Sequence, residues 1–213
     1  MEKRTATMFS VLVGLVISLG SSSLFAQSDD LLITKHHFKI MKPARLTPPE
    51  AMSIYDNVSE RMFKGYAASK DPTAMTYRNW RRYNTAPYNS ATHGNRYVNN
   101  YANAKAKAGH YGRLAPGGKL PVGSIIAKDS FTVTNNHAVF AGALFIMEKL
   151  AKGTSPKTDD WRYQMIMPDG SLFGDTQGIG AAEVSFCHGC HSKKAGNDSL
   201  YFIPEKFRRQ FLD

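Results

Sequence analysis

The sequence predicts an α+β fold, mostly antiparallel β-sheet with helices packed against it. Three observations predict it: a strong helix pattern comes first, alternating β-branched stretches come later, and no β–α–β alternation links them. With 213 residues, 42% of them hydrophobic, the chain is long enough for one domain with a real core.

The first 26 residues read as a secretory signal, leaving 27–213 as the domain. Lys3 and Arg4 give a positive start, and Met8 to Gly20 is a 13-residue uncharged run, short for a membrane span. "SSSLFA" supplies small residues up to Ala26, although Leu24 fits poorly three before the cut. An uncleaved N-terminal anchor is the competing reading. With cleavage, the mature protein is expected in an exported compartment.

Within the domain, "TPPE" (Thr47 to Glu50) reads as a capped helix start. Tyr55, Val58, Met62 and Tyr66 follow at helical spacing, and Asp71-Pro72 closes the helix. A weaker helix is expected from Asn99 to Ala108. After the turn-rich "PGGKLPVG", "SIIAKDSFTV" alternates as a strand, Asn135 to His137 turn it, and "AVFAGALFIMEK" is its partner. "DWRYQMIM" followed by "PDGS" is a third strand and turn, and a short helix lies near "PEKFRRQF".

The net charge is +10, about +9 once Glu2, Lys3 and Arg4 are removed. The Lys and Arg residues are scattered and do not interleave with aromatics, which argues against nucleic acid. A solvated basic surface competes with a docking face for an acidic redox partner.

The only two cysteines stand in "CHGCH", Cys187 and Cys190, with His191 next. Cys-x-x-Cys-His is the attachment signature of a c-type haem. The thiols add to the porphyrin vinyls, and the following histidine ligates the iron. A redox dithiol would need a β–α–β setting, a zinc site two more ligands, and a disulfide of this spacing would staple almost nothing. His188 reads as filler. The 22 residues after His191 hold no Met, His or Cys. A sixth ligand would have to be Met147, Met165 or Met167, which read as core. One covalent haem c with five-coordinate iron and one open side is therefore expected. His93 and His137 read as structural.

The stretches "HGNRYVNNYAN", "LPVGSIIAKDSF", "ALFIMEKLAKG", "DWRY" and "CHGCH", in this order, resemble the cytochrome P-460 family. The resemblance is clearest from Tyr77 to Asp198. It implies a periplasmic, often homodimeric protein that oxidises hydroxylamine to nitrous oxide or nitric oxide. Its electrons would pass to a soluble partner such as another cytochrome c. It also implies a lysine bonded to a porphyrin meso carbon, which by position is Lys128. Arg96 matches a pocket arginine. Glu183 is the nearest match to the distal acid, one position off the register that falls on Ala182.

The pattern alone reads Lys128 differently. It shares a strand face with Ser124, Ser130 and Thr132, opposite Ile125, Ala127, Phe131 and Val133, the mark of a solvent-facing lysine. Three functions stay open: the enzyme, a pure electron carrier with a sixth ligand from Met or His, and a relative of the cytochrome c'-beta type that binds nitric oxide or carbon monoxide. A distal wall of Phe131, Phe140 or Phe173 would favour the last.

Overall fold

The computed structural model describes residues 41–108 and 110–210, so the secretory signal expected over residues 1–26 lies outside the described residues. Helix α1 spans Pro48–Ala67. The Glu50 carboxylate accepts the Thr47 N–H and Oγ–H, both at 2.7 Å, tying the cap to the first turn. Tyr55, Val58, Met62 and Tyr66 form its buried stripe, as the spacing predicts. Asp71-Pro72 does not close this helix. It opens the next one, α2 (Pro72–Thr76), where Asp71 Oδ1 accepts the Thr73 and Ala74 N–H groups at 2.8 and 3.0 Å.

Strands β1 (Arg81–Arg82), β2 (Tyr88–Ser90) and β3 (Arg96–Ala102) follow. The helix expected from Asn99 is therefore confined to α3 (Ala104–Ala108). The boundary lies at Asn103, whose Oδ1 accepts the N–H groups of Ala106 and Ile125 and whose Nδ2 donates to Gly123. Strand β4 (Ile125–Val133) is the stretch read from "SIIAKDSFTV". Its partner is not one strand but two, β5 (Val139–Ala141) and β6 (Leu144–Lys149), lying end to end on the same edge of β4. Strands β7 (Trp161–Ile166) and β8 (Leu172–Asp175) form a hairpin, and α4 (Ser185–His191) carries the cysteines. Near the end, only a 3-10 turn forms at Glu205–Phe207.

The strands form one eight-stranded sheet in the order β1-β3-β4-β6-β7-β8, with β2 also on β3 and β5 also on β4. Every pairing is antiparallel.

Both faces of the sheet are covered. On one, α1 packs Tyr55, Val58, Met62 and Tyr66 against Tyr97, Tyr101, Ala127, Phe131 and Leu144. On the other, Val98, Ile126, Met147, Trp161 and Tyr163 meet Leu200, Ile203 and Cys187. This double cover explains why the alternation of β4 misleads: eight of its nine residues are buried. The faces are assigned by a buried carboxylate. Asp129 Oδ2 accepts from Tyr55 (2.6 Å) and Tyr77 (3.1 Å), and Oδ1 accepts from Asn99 (3.0 Å). Asp129 is thereby fixed toward α1, and Lys128, one residue earlier, must face the opposite side.

The break between β5 and β6 falls at a sterically crowded glycine. A Cβ on Gly142 would sit 2.2 Å from Ser130 Oγ and 2.5 Å from Arg96 Cδ. Gly142→Ala is expected to cost about 1–3 kcal/mol through overpacking. Thermal unfolding should show it as a loss of several degrees in Tm.

Candidate functional site

Helix α4 is short, yet its geometry sets the site. Residues three and four apart share a helix face, so Cys187, Cys190 and His191 project together. They project into a cavity of about 610 Å³ between α4 and the sheet. Both thiols are free. Lys128 lines the same cavity from β4, alongside Ile126, Phe145, Met147 and Tyr163. His188 is not among the lining residues.

His191 is buried and oriented by the backbone. Its Nδ1 lies 2.7 Å from the Ser199 carbonyl. A carbonyl only accepts, so Nδ1 carries the proton and Nε2 keeps its lone pair, the arrangement a metal-binding imidazole needs. Burial, then the Lys128 ammonium, push the imidazole down to about 4, so the ring is neutral. Tyr163 and Tyr201 flank it, each with its ring centre 5.5 Å away.

The carbonyl that orients His191 is itself held. Asp198 and Ser199 adopt left-handed backbone angles in succession, φ 52° and 59°. Asp198 Oδ1 pairs with Lys149 Nζ at 2.6 Å, Oδ2 accepts the Leu120 N–H, and the Asp198 carbonyl accepts Trp161 Nε1–H. Ser199 Oγ donates to Asp159. A buried ion pair thus fixes the loop behind the histidine.

Lys128 is 7% exposed, not the surface lysine of the pattern reading. Among the described residues its side-chain amine makes no hydrogen bond and no ion pair. Burial pulls its amine down to about 8, against the smaller opposing effect of Cys190. A neutral, nucleophilic amine is therefore accessible near neutral pH. Burial raises the Cys187 thiol to about 12.

The other expected residues are placed elsewhere. Glu183 and Ala182 are exposed and do not line the cavity. Arg96 is buried at the start of β3, packed over Gly142 beside Ser130, also outside the lining. Of the three methionines, Met147 lines the cavity, whereas Met165 and Met167 pack with Ala143 and Val184. Phe131 lies in the α1-side core, and neither Phe140 nor Phe173 lines the cavity. The aromatic wall is instead Phe145 and Phe186. His93, read as structural, also lines it: Nδ1 lies 2.8 Å from Ser90 Oγ, and the ring stands edge-on to Phe145 at 4.9 Å. The strand register was the signal for Phe145, since it pairs with Lys128. His93 had none, because the loop that brings it there is not a periodic element.

The profile of the cytochrome P460 family matches residues 74–202, spanning every residue that defines the cavity. The chain belongs to the cytochrome P460 family. No curated protein matches the chain. As a cytochrome P460 it is a haem protein, and its residues fit that group. The cavity is largely apolar. It gathers two thiols, an imidazole with a free Nε2 and a buried amine without a partner, and the Tyr163 hydroxyl beside them is likewise buried without a hydrogen bond. In this cytochrome P460, His191 would hold the iron, Cys187 and Cys190 stand where vinyl groups could be reached, and Lys128 faces them across the cavity.

Proposed function

We propose that this cytochrome P460 is an exported c-type haem enzyme that oxidises hydroxylamine to nitrous oxide or nitric oxide. In this reading Cys187 and Cys190 carry the haem covalently, and Lys128 is bonded to the porphyrin ring. The observation that carries the reading is the buried, partnerless Lys128 amine in the cavity of the thiols and His191. A bound haem supplies the iron that holds hydroxylamine and the redox couple that takes its electrons. Lys128 would have to act as the neutral amine, and joining Nζ to a ring carbon would require the loss of one hydrogen from each and a two-electron oxidant.

Hydroxylamine loses protons with its electrons, so the pocket needs a proton acceptor. Glu183 is exposed and stands outside the cavity lining. His93 is the basic ring at the wall, anchored through Ser90, half-buried and so within reach of solvent. Phe145 and Phe186 supply the aromatic part of the cavity wall.

A second reading is favoured by one observation. Ile126, Phe145, Ile146, Met147 and Phe186 make the wall mostly apolar, and no carboxylate lines it among the described residues. That wall suits a protein that captures nitric oxide or carbon monoxide without turnover. Purified holoprotein given hydroxylamine and a dye acceptor should reduce the dye and release nitrogen oxides. Gas binding without dye reduction would favour the second reading. In either, the ferric iron is expected to be five-coordinate, giving a high-spin electron paramagnetic resonance signal. A purely low-spin signal that becomes high-spin in Met147→Ala would show Met147 as sixth ligand.

A further inference from the structure

Sequence positions 72–128 contain nine Lys or Arg residues and not one Asp or Glu. The fold gathers part of this charge. Arg81, Lys107, His110 and Arg113, with Arg208 and Arg209 from the chain end, line one open groove of about 1420 Å³. No acidic residue lines it. Lys107, His110, Arg113 and Arg209 are exposed, while Arg81 and Arg208 are half-buried.

The groove is built, not incidental. Asn84 bridges Arg208 in antiparallel fashion, and the Thr85 N–H donates to the Phe207 carbonyl at 2.8 Å, docking the chain end beside β1. Arg208 and Arg209 donate to backbone carbonyls, those of Ile203 and Asn84, so their charge is held but not neutralised. Lys107, His110, Arg208 and Arg209 form no ion pair among the described residues. Gly112, at φ 95°, lets the chain turn tightly over the groove floor, where its Cβ would meet Tyr83 at 3.2 Å. The floor, Tyr83 and Tyr111, belongs to the same packed cluster as Ile126, Met147 and Cys187, which line the haem cavity. Continuous packed protein therefore joins the groove to the redox site.

We propose that this groove docks the acidic face of a protein electron acceptor. The electron-accepting role rests on the redox reading above; the binding does not. The geometry favours a protein over the alternatives. A small polyanion would be gripped by converging donors, but here the charged heads are mostly exposed and spread over three chain segments. A nucleic-acid strand would need exposed rings to stack on, and Tyr83 and Tyr111 are 3% and 5% exposed. Like charges held together in open water steer an oppositely charged surface and fix its orientation, with strong salt dependence.

The test measures binding of holoprotein to poly-L-glutamate, tripolyphosphate and a single-stranded oligonucleotide over a series of salt concentrations. The triple variant Lys107→Glu/Arg113→Glu/Arg209→Glu is compared with a control of equal charge change, Lys70→Glu/Lys152→Glu/Lys157→Glu. Poly-L-glutamate should bind with an affinity that falls with salt, weaken roughly tenfold or more in the groove variant, and change less than about twofold in the control. Equal loss in both variants would reduce the effect to net charge and overturn the proposal. So would binding of tripolyphosphate or the oligonucleotide in preference to poly-L-glutamate, or no binding at all. Dye-linked hydroxylamine oxidation, measured on the same samples, should be unchanged by the groove variant. If that activity is absent while poly-L-glutamate binds as expected, the functional reading fails and the docking surface stands.

Discussion

Lys128→Ala is expected to leave the haem attached, return its absorption spectrum to that of an ordinary c-type haem, and abolish hydroxylamine oxidation. In the proposed reading a bond from Nζ would interrupt conjugation at one ring carbon and shift the main band to the red; without the amine that bond could not form. The proposed attachment through Cys187 and Cys190 and ligation by His191 would not depend on it. Stability should change little, because the amine has no hydrogen bond or ion pair to lose. The lost chain contacts are offset by removal of a buried group that is costly to charge. Lys128→Arg separates the two roles the side chain could play. Arginine keeps a cation in the cavity but stays protonated and cannot act as the nucleophile. It should therefore behave like the alanine variant. An arginine variant with wild-type activity would mean that charge, not the bond, is what the site uses.

Asp198→Ala is expected to be the most destabilising single change near the site, at about 3–5 kcal/mol. The Asp198 and Lys149 side chains are 2% and 10% exposed, so removing the carboxylate strands a buried ammonium. The Leu120 N–H loses its acceptor as well. For a chain of this size the melting temperature should fall by roughly 10 °C. The effect reaches His191, because Asp198 precedes the residue whose carbonyl orients its ring. A variant that replaces the pair by apolar residues, Lys149→Met/Asp198→Leu, should recover much of the stability. If Asp198→Ala melts like the wild type, the loop behind His191 is held by something other than this ion pair.

Much of this architecture is legible in the sequence where one local rule decides. Thr47, Glu50 and the Tyr55–Tyr66 stripe specify α1 because cap and periodicity agree. That Cys187, Cys190 and His191 face one cavity is legible because residues three and four apart share a helix face. Asn99 to Ala102 misled because Asn99 and Asn100 carry no strand signal and the alanine-rich run after Asn103 does read as helix. Their role became visible only once Asn99 met Asp129 and Asn100 met Tyr88 across the fold. Lys128 is the instructive case. Alternation reports which residues share a face, not what covers that face. Here the covering layer is α4 and the chain end, about sixty residues away in sequence. The basic groove was hidden for the same reason: its charges look scattered until Arg208 and Arg209 dock beside Arg81.

The most direct measurement is peptide mapping by mass spectrometry of the proteolysed holoprotein. The account predicts that the peptide containing Lys128 is recovered covalently joined, through haem, to the peptide containing Cys187 and Cys190. Trypsin should also fail to cleave after Lys128. Recovery of a haem-bearing Cys187–Cys190 peptide with the Lys128 peptide free and cleaved at that lysine would contradict it, and would favour the gas-binding reading of the cavity.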